Sequence, residues 1–267
     1  MKDDKILISV APVDAGEHKA DPEEIAADVL ECAKFGAGMV HLHVRKPDGS
    51  LTDDLTYLEK TISLIRKQSD IIIEASTGGV SDLTIHQRCA PLSCENVEAV
   101  SLNVGSVNLG EAVYQNPAKD VRYCVQEIVK SGKTPEVEVF ELGMIYTAVS
   151  LKSLYGMKDP LLFSIVLGHG GAAPATLEAL LAMRSFIPAD MLWGITHAHR
   201  TNNEIIRQAV ALGAKTVRVG FEDSHIIDNG ELSKSNAPIV AETIRLVKAL
   251  GKEPMTPSEA RLFFNIK

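Results

Sequence analysis

Val40-His41-Leu42-His43-Val44-Arg45 lies between Gly36-Ala37-Gly38 and the turn residues Pro47-Asp48-Gly49. Val40, Leu42 and Val44 alternate with His41 and His43, and this period of two predicts a strand. Residues i and i+2 of a strand point the same way, so the two imidazoles project side by side from one face. Two neutral imidazoles on a rigid face make half of a site for zinc or a similar divalent metal. Two ligands do not complete a site, and the same pattern fits two separately hydrogen-bonded histidines on a half-buried strand.

On either side of this stretch, strand and helix signals alternate along the whole chain. Residues 5–13 read as a buried strand ending near a proline. Asp21-Pro22-Glu23-Glu24 reads as a helix start, with a capping aspartate, proline at the first helical position and acids at the positive dipole end. After the His-x-His strand come a helix over 52–67, a third strand over 71–75 and a short helix near 83–88. A fourth strand covers 99–103, a helix 117–131, and a strongly alternating fifth strand 136–141. The remainder repeats the alternation: helix 144–155, strand 161–167, helix from Thr176 to about Ser185, strand 191–195, helix 203–212, strand 216–222 and helix 236–250. A further helix over 257–264 forms a C-terminal extension. Eight strands with eight helices and no linker predict one domain over residues 1–267, an α/β chain folded as a (β/α)8 TIM barrel. No G-x-G-x-x-G follows the first strand, so a doubly wound nucleotide-binding sheet has no support.

Bulk composition limits the partners. The 267 residues are 45% hydrophobic and 23% charged, with a formal net charge of -8. That balance argues against a nucleic acid or an anionic membrane as the main partner. Cys32, Cys89, Cys94 and Cys124 contain no C-x-x-C pair and read as reduced thiols of a cytoplasmic protein. No leader and no apolar run of membrane-spanning length is recognised, so a cytoplasmic location is expected.

Active sites of such barrels sit at the C-terminal ends of the strands. Those ends carry Glu17, His41 and His43, Ser76, Ser101 and Asn103, Glu138 and Glu141, His169, His197 and His199, and Glu222-Asp223. By the period of two, Arg218, Gly220 and Glu222 share one face of the eighth strand. If that face is inward, Glu222 reaches the zone of His41 and His43, and a His/His/carboxylate set leaves a coordination position open, as in catalytic zinc sites. His18, His86 and His225 read as surface histidines.

Several motifs carry a resemblance that runs end to end. They are Val40–Arg45, Ser76-Thr77-Gly78-Gly79-Val80-Ser81-Asp82-Leu83-Thr84, Ser101-Leu102-Asn103-Val104-Gly105-Ser106, Glu136–Glu141, Val217-Arg218-Val219-Gly220-Phe221-Glu222-Asp223 and Thr256-Pro257-Ser258-Glu259-Ala260-Arg261. Together they resemble the beta-keto acid cleavage enzymes. The resemblance implies zinc held by His41, His43 and Glu222, and substrate contacts from Ser76, Gly79 and Ser101. It also implies Arg218 with Asp223 as a catalytic pair and a first-strand acid at Glu17, or at Asp14 with a gap. The implied reaction joins a β-keto acid to acetyl-CoA, giving acetoacetate and a new acyl-CoA. The implied assembly is a homo-oligomer, a tetramer. Lys46 stands where the family usually has aspartate, and the loops 168–171 and 196–200 are atypical.

Two further expectations follow. A metal-dependent amidohydrolase is the alternative reading; its pattern calls for histidines on strands five and six, and strand five has none. Discrimination between keto acids falls to groups around the distal tail. An acid at Glu17 or Asp14 favours a cationic or small polar tail, whereas Arg200 would favour a carboxylate.

Overall fold

Each strand hydrogen-bonds in parallel to the next, and the last returns to the first. The computed structural model describes residues 4–14 and 19–266. The barrel strands are β1 (Lys5–Val10), β2 (Met39–Leu42), β3 (Ile72–Ala75), β4 (Ala99–Asn103), β7 (Thr134–Val139), β8 (Leu162–Leu167), β9 (Leu192–His197) and β10 (Thr216–Val219). Closure comes from β10 pairing with β1 through Val217 and Ile8. The helices α1 (Pro22–Phe35), α2 (Thr56–Arg66), α3 (Ile85–Arg88), α4 (Ala118–Ser131), α5 (Leu142–Tyr155), α6 (Leu177–Phe186), α7 (Glu204–Ala211) and α8 (Asn236–Ala249) follow the eight strands in turn. The expected (β/α)8 barrel is the fold. Among the described residues no helix is long and apolar enough to cross a membrane.

Local chemistry explains the helix ends. Asp21 accepts from the N–H groups of Glu23 and Glu24, Pro22 opens α1, and Gly36 closes it in the left-handed region at φ 112°. One element has no counterpart in the expected series. An antiparallel hairpin, β5 (Val107–Leu109) and β6 (Ala112–Tyr114), follows β4 and turns through Gly110-Glu111.

Side-chain alternation divides each strand between two cores. Ile6, Ile8 and Val10, like Val40 and Leu42, pack outward against the helices. Leu7, Met39, Ile72, Ala99 and Leu162 face the barrel axis at its N-terminal end. There β11 (Glu253–Pro254) pairs beside β1, and α9 (Pro257–Phe264) inserts Ala260 and Phe264 to seal the floor. Thr256 and Glu259 form a capping box that starts α9. Above this apolar layer the axis is polar: Ser9, His41, Glu74, Ser101, Glu136, Ser164, Thr196 and Arg218 are all buried. Barrel interiors are ordinarily filled by branched aliphatic residues, so this column of polar groups needs partners or a ligand.

Candidate metal and acid-base centre

His41 is the lower of the two histidines and is fully enclosed, at 1% exposure. Its Nδ1 lies 2.8 Å from Glu74 Oε2. That contact fixes the ring and directs Nε2 toward the mouth, the arrangement by which carboxylates orient metal-ligating histidines. Glu74 in turn stands beside Glu136. Burial raises Glu74 to about 8 and lifts Glu136 well above the usual carboxylate range. Glu74 Oε1 has no other donor, and a protonated Glu136 donating to it satisfies both carboxyls while leaving Oε2 for the His41 N–H.

His43 Nε2 and His41 Nε2 converge on Glu222 Oε1, at 3.4 and 3.9 Å. Ligand atoms of the three residues all lie within 4.8 Å of one another. Burial pushes the His43 imidazole below its usual value against the pull of Glu222, which favours the neutral, metal-ligating form. Burial acts to raise Glu222 as well, but His43, His41 and Arg218 outweigh it and hold the carboxyl well below its usual range. Two imidazoles and an ionised carboxylate around one point fit a divalent cation.

Glu222 does not arrive there by strand alternation. β10 ends at Val219, and a turn at Gly220 carries the chain inward. Gly220 has φ 133°, and a Cβ there would stand 2.3 Å from the Ala11 carbonyl oxygen, so only glycine fits. The expected shared face of Arg218, Gly220 and Glu222 is therefore corrected to a strand residue plus a turn. The same turn presents Asp223.

Arg218 is the hub of the polar layer. Its Nε and NH2 donate to the two oxygens of Asp223 at 3.1 and 2.7 Å, and NH1 donates to Glu138 at 2.7 Å. NH2 also approaches Glu222 Oε1 at 3.5 Å. Burial opposes the charge, but Asp223, Glu222 and Glu138 outweigh it and keep the guanidinium protonated. Asn103 Nδ2 donates to the other oxygen of Glu138 at 3.0 Å. Glu138 thus belongs to the network, whereas Glu141 is exposed at the N-cap position of α5, without a side-chain hydrogen bond to the helix.

A cavity of about 690 Å³ opens onto these groups, lined by His41, His43, Ser76, Gly79, Tyr114, Glu138, His169, Arg218, Glu222 and Asp223 among others. Ser76 Oγ is 3.3 Å from Ser101 Oγ. Ser101 is itself fully buried, without a place on the cavity wall, and so supports Ser76 from beneath. The Gly79 N–H donates to Tyr114 Oη at 3.0 Å, so the amide of this expected substrate contact is engaged, and Tyr114 lines the cavity beside it.

Other assignments separate from the cavity. Glu17 lies outside the described residues. Asp14 bonds His225 Nε2 at 2.7 Å, and His225 stacks on Phe221, so neither is a loose surface group. His18 is also outside the described residues; His86 is exposed and packs edge-on to Tyr123. Arg200 is buried but donates to Ile226 O at 2.5 Å and to Asn203, away from the cavity wall. Burial, Arg200 and His199 push His197 down to about 4. Glu74 and Tyr114 were not singled out in the sequence. A lone acid inside Ile71-Ile72-Ile73-Glu74-Ala75 was the signal for the first; for the second it was a Gly-Glu turn between two short alternating runs.

A parallel barrel with a His/His/Glu cluster that could hold a metal ion, beside an Arg–carboxylate pair at its C-terminal mouth, has the architecture of a barrel enzyme. The beta-keto acid cleavage enzyme family profile matches residues 5–266, and the chain belongs to that family. A 3-keto-5-aminohexanoate cleavage enzyme of Fusobacterium nucleatum is 36% identical over 247 residues, 92% of this chain and 89% of that one. A 3-oxoadipate:acetyl-CoA acetyltransferase of Cupriavidus necator is 30% identical, covering 97% of this chain and 94% of the relative. A 3,5-dioxohexanoate:acetyl-CoA acetone transferase of Paraburkholderia graminis is 28% identical, with 98% and 96% covered. A solved complex of ObcA with oxaloacetate shares the fold with a TM-score of 0.78 at 18% identity, over 92% of this chain and 66% of that longer one. The amidohydrolase alternative has no counterpart here, because the inward residues of β7 are Glu136 and Glu138 rather than histidine.

Proposed function

We propose that the protein is a zinc-dependent acyltransferase that joins a β-keto acid to acetyl-CoA and releases acetoacetate and a new acyl-CoA. The carrying observation is the convergence of His41, His43 and Glu222 beside the Arg218–Asp223 pair in one cavity, on a chain of this family. When bound by His41, His43 and Glu222, zinc would supply Lewis acidity toward the oxygens of the keto acid. Asp223 accepts a proton from the α-carbon, and Arg218 fixes the carboxylate for that transfer with two hydrogen bonds. Glu138 steadies Arg218 from the far side. The α-carbon then bonds to the thioester carbonyl carbon, the C–S bond breaks, and the sulfur leaves with its electron pair. The CoA thiolate adds to the other carbonyl carbon, the C–C bond breaks, and the resulting carbanion takes the proton back from Asp223 and leaves as acetoacetate. Ser76, backed by Ser101, holds the substrate carboxylate.

Glu17 enters this reading as the residue that meets a cationic or small polar tail. The names of two relatives, at 36% and 32% identity, support an amino-bearing substrate. The four cysteines are free and buried, which supports a reducing, cytoplasmic setting. Exposed Leu142, Tyr146 and Leu154 on α5 support a homo-oligomer.

Acetoacetate formation from a panel of β-keto acids with acetyl-CoA tests the reaction. The panel includes matched lengths ending in ammonium, carboxylate or methyl, in wild type and Glu17→Gln. Acetyl-CoA-dependent turnover with an ammonium preference that Glu17→Gln weakens is expected. No acetoacetate from any keto acid, or hydrolysis of amides or lactones instead, would overturn the reading.

A further inference from the structure

The loop Gly168-His169-Gly170-Gly171 contributes His169 to the cavity wall and is firmly held. Gly168 N–H donates to Ala173 O at 3.0 Å, Ala172 N–H to His169 O at 3.2 Å, and Gly110 N–H at the hairpin tip to Gly170 O at 2.8 Å. Gly168 has φ 100°, and a Cβ there would lie 2.4 Å from the Ala198 carbonyl oxygen, so the close approach to the end of β9 requires glycine. The imidazole between these glycines is packed from two sides. Its centroid is 5.9 Å from Phe140 and 5.3 Å from His199, the latter edge-on.

His169 lines the catalytic cavity, and among the described residues neither of its ring nitrogens makes a hydrogen bond. Burial pushes it below the usual histidine range; Asp223 and Glu138 act in the opposite sense, and His199 and Arg218 with the burial. The ring is then neutral near neutral pH, with one N–H to donate and one lone pair. Arg218 and Asp223 are common neighbours of His169 and of Glu222.

The reaction proposed above, on which this inference rests, places negative charge on two oxygens. Those of the keto acid face the cation site. The thioester carbonyl needs its own donor beside Asp223. Arg218 has its Nε, NH1 and NH2 engaged by carboxylates, and the Gly79 amide is engaged by Tyr114. We propose that His169 donates its N–H to the thioester carbonyl oxygen of acetyl-CoA as the C–C bond forms. Electrons of the C=O bond move to that oxygen during addition and return as the C–S bond breaks, with the pair leaving on sulfur. The proton stays on the ring nitrogen, so His169 ends the step as it began. A neutral imidazole on a pinned loop suits this role, because its dipole is aimed before charge develops.

Acetoacetate is the probe that tests this, since it is itself a β-keto acid and needs no knowledge of the physiological tail. Two rates are measured on the metal-loaded enzyme: exchange of its α-hydrogens with deuterated water without acetyl-CoA, and transfer of carbon label from acetyl-CoA into acetoacetate. His169→Phe keeps the ring packing and removes the donor. It should lower kcat for label transfer by about 10²–10³-fold, with α-hydrogen exchange within about twofold of wild type. His169→Gln, which restores an N–H, should recover part of the loss. His169→Asn, too short to reach the carbonyl, repeats the test if the phenylalanine variant does not fold. Label transfer within about threefold of wild type, or exchange falling in proportion to transfer, overturns the assignment of His169. A wild-type enzyme that exchanges the hydrogen but never transfers label overturns the reaction itself.

Discussion

Two ends of the barrel use the same side chains to opposite effect. At the floor, Arg66 and Arg261 close on Glu98, with NH2 of Arg66 2.6 Å from Oε1 and Nε of Arg261 2.5 Å from Oε2. Asp70 pairs with Arg261 as well. Two guanidiniums meet two carboxylates, and the remaining donors reach Ile71 O and Asp70 O. At the mouth, the guanidinium of Arg218 faces Glu138, Glu222 and Asp223, with Arg45 and Arg200 acting on Glu222 and Asp223 from further away. Three carboxylates thus meet one guanidinium within hydrogen-bonding reach, deep in the barrel, next to His43. The floor is electrically complete and partly wet, so it stabilises only modestly. The mouth, on the proposed function, is completed by a divalent cation, because buried charges left unpaired are costly. Balance marks structure here, and imbalance marks chemistry.

The largest test removes the cation's ligands. His41→Ala and His43→Ala should each reduce bound metal from about one ion per chain to under about a tenth, and turnover by at least about 10³-fold, with the circular dichroism of the fold retained. Full metal occupancy in either variant would place the cation elsewhere and end the contrast between mouth and floor.

Asp223→Asn comes next. The amide preserves shape but cannot accept the α-proton, so kcat should fall by about 10²–10⁴-fold with metal content unchanged. If α-hydrogen exchange into the keto acid continues at the wild-type rate, the base is another group, and Glu17 is the first to examine.

The floor supplies the opposite outcome. Arg261→Ala removes one of the two clasps on Glu98 and loosens α9, and should lower unfolding free energy by about 1–3 kcal/mol in urea melts. Metal content and kcat should stay within about twofold. A change in metal affinity would mean that the two ends are coupled and that charge balance does not separate them.

How far these contrasts could be read beforehand depends on how local their causes are. The barrel was legible because β2, β3 and β7 carry period-two or continuous aliphatic runs, and because Asp21-Pro22 and Thr256-Pro257 announce helices by capping chemistry alone. His41 was legible for the same reason, whereas His43 lies one residue past the end of β2 and still converges with His41 on Glu222. Glu222 was found, but for a reason the fold does not use: a left-handed turn at Gly220 replaces the last three residues of the expected strand. The engagement of the Gly79 amide was not legible, because its partner Tyr114 comes from a hairpin 35 positions away. Balance itself was invisible, for it depends on which strands become neighbours. Arg218 meets Glu138 across 80 positions, and Arg261 meets Glu98 across 163.

The smallest expected effect lies between the two ends, at Glu74 and Glu136, where an acid pair is completed by a proton rather than by a cation. Burial raises both, Glu74 to about 8 from the usual 4.5. Between those values the folded chain holds a proton that the unfolded chain has released. The contribution of Glu74 is therefore complete below about pH 4.5 and is lost as the pH rises through about 8, and that of Glu136, raised in the same direction, is likewise lost as the pH rises. Glu136→Gln replaces the titrating donor with an amide that donates to Glu74 Oε1 at any pH. In metal-free protein, urea melts at pH 5 and pH 8.5 should show wild type losing about 2 kcal/mol relative to the variant as the pH rises, with the two within about 1 kcal/mol at pH 5. Holding the protein metal-free matters, because a cation on His41 would pull on the same chain of hydrogen bonds from above. Parallel pH profiles for wild type and Glu136→Gln would show that no proton bridges the pair, and the orientation of His41 would then have to come from Glu74 as a bare carboxylate.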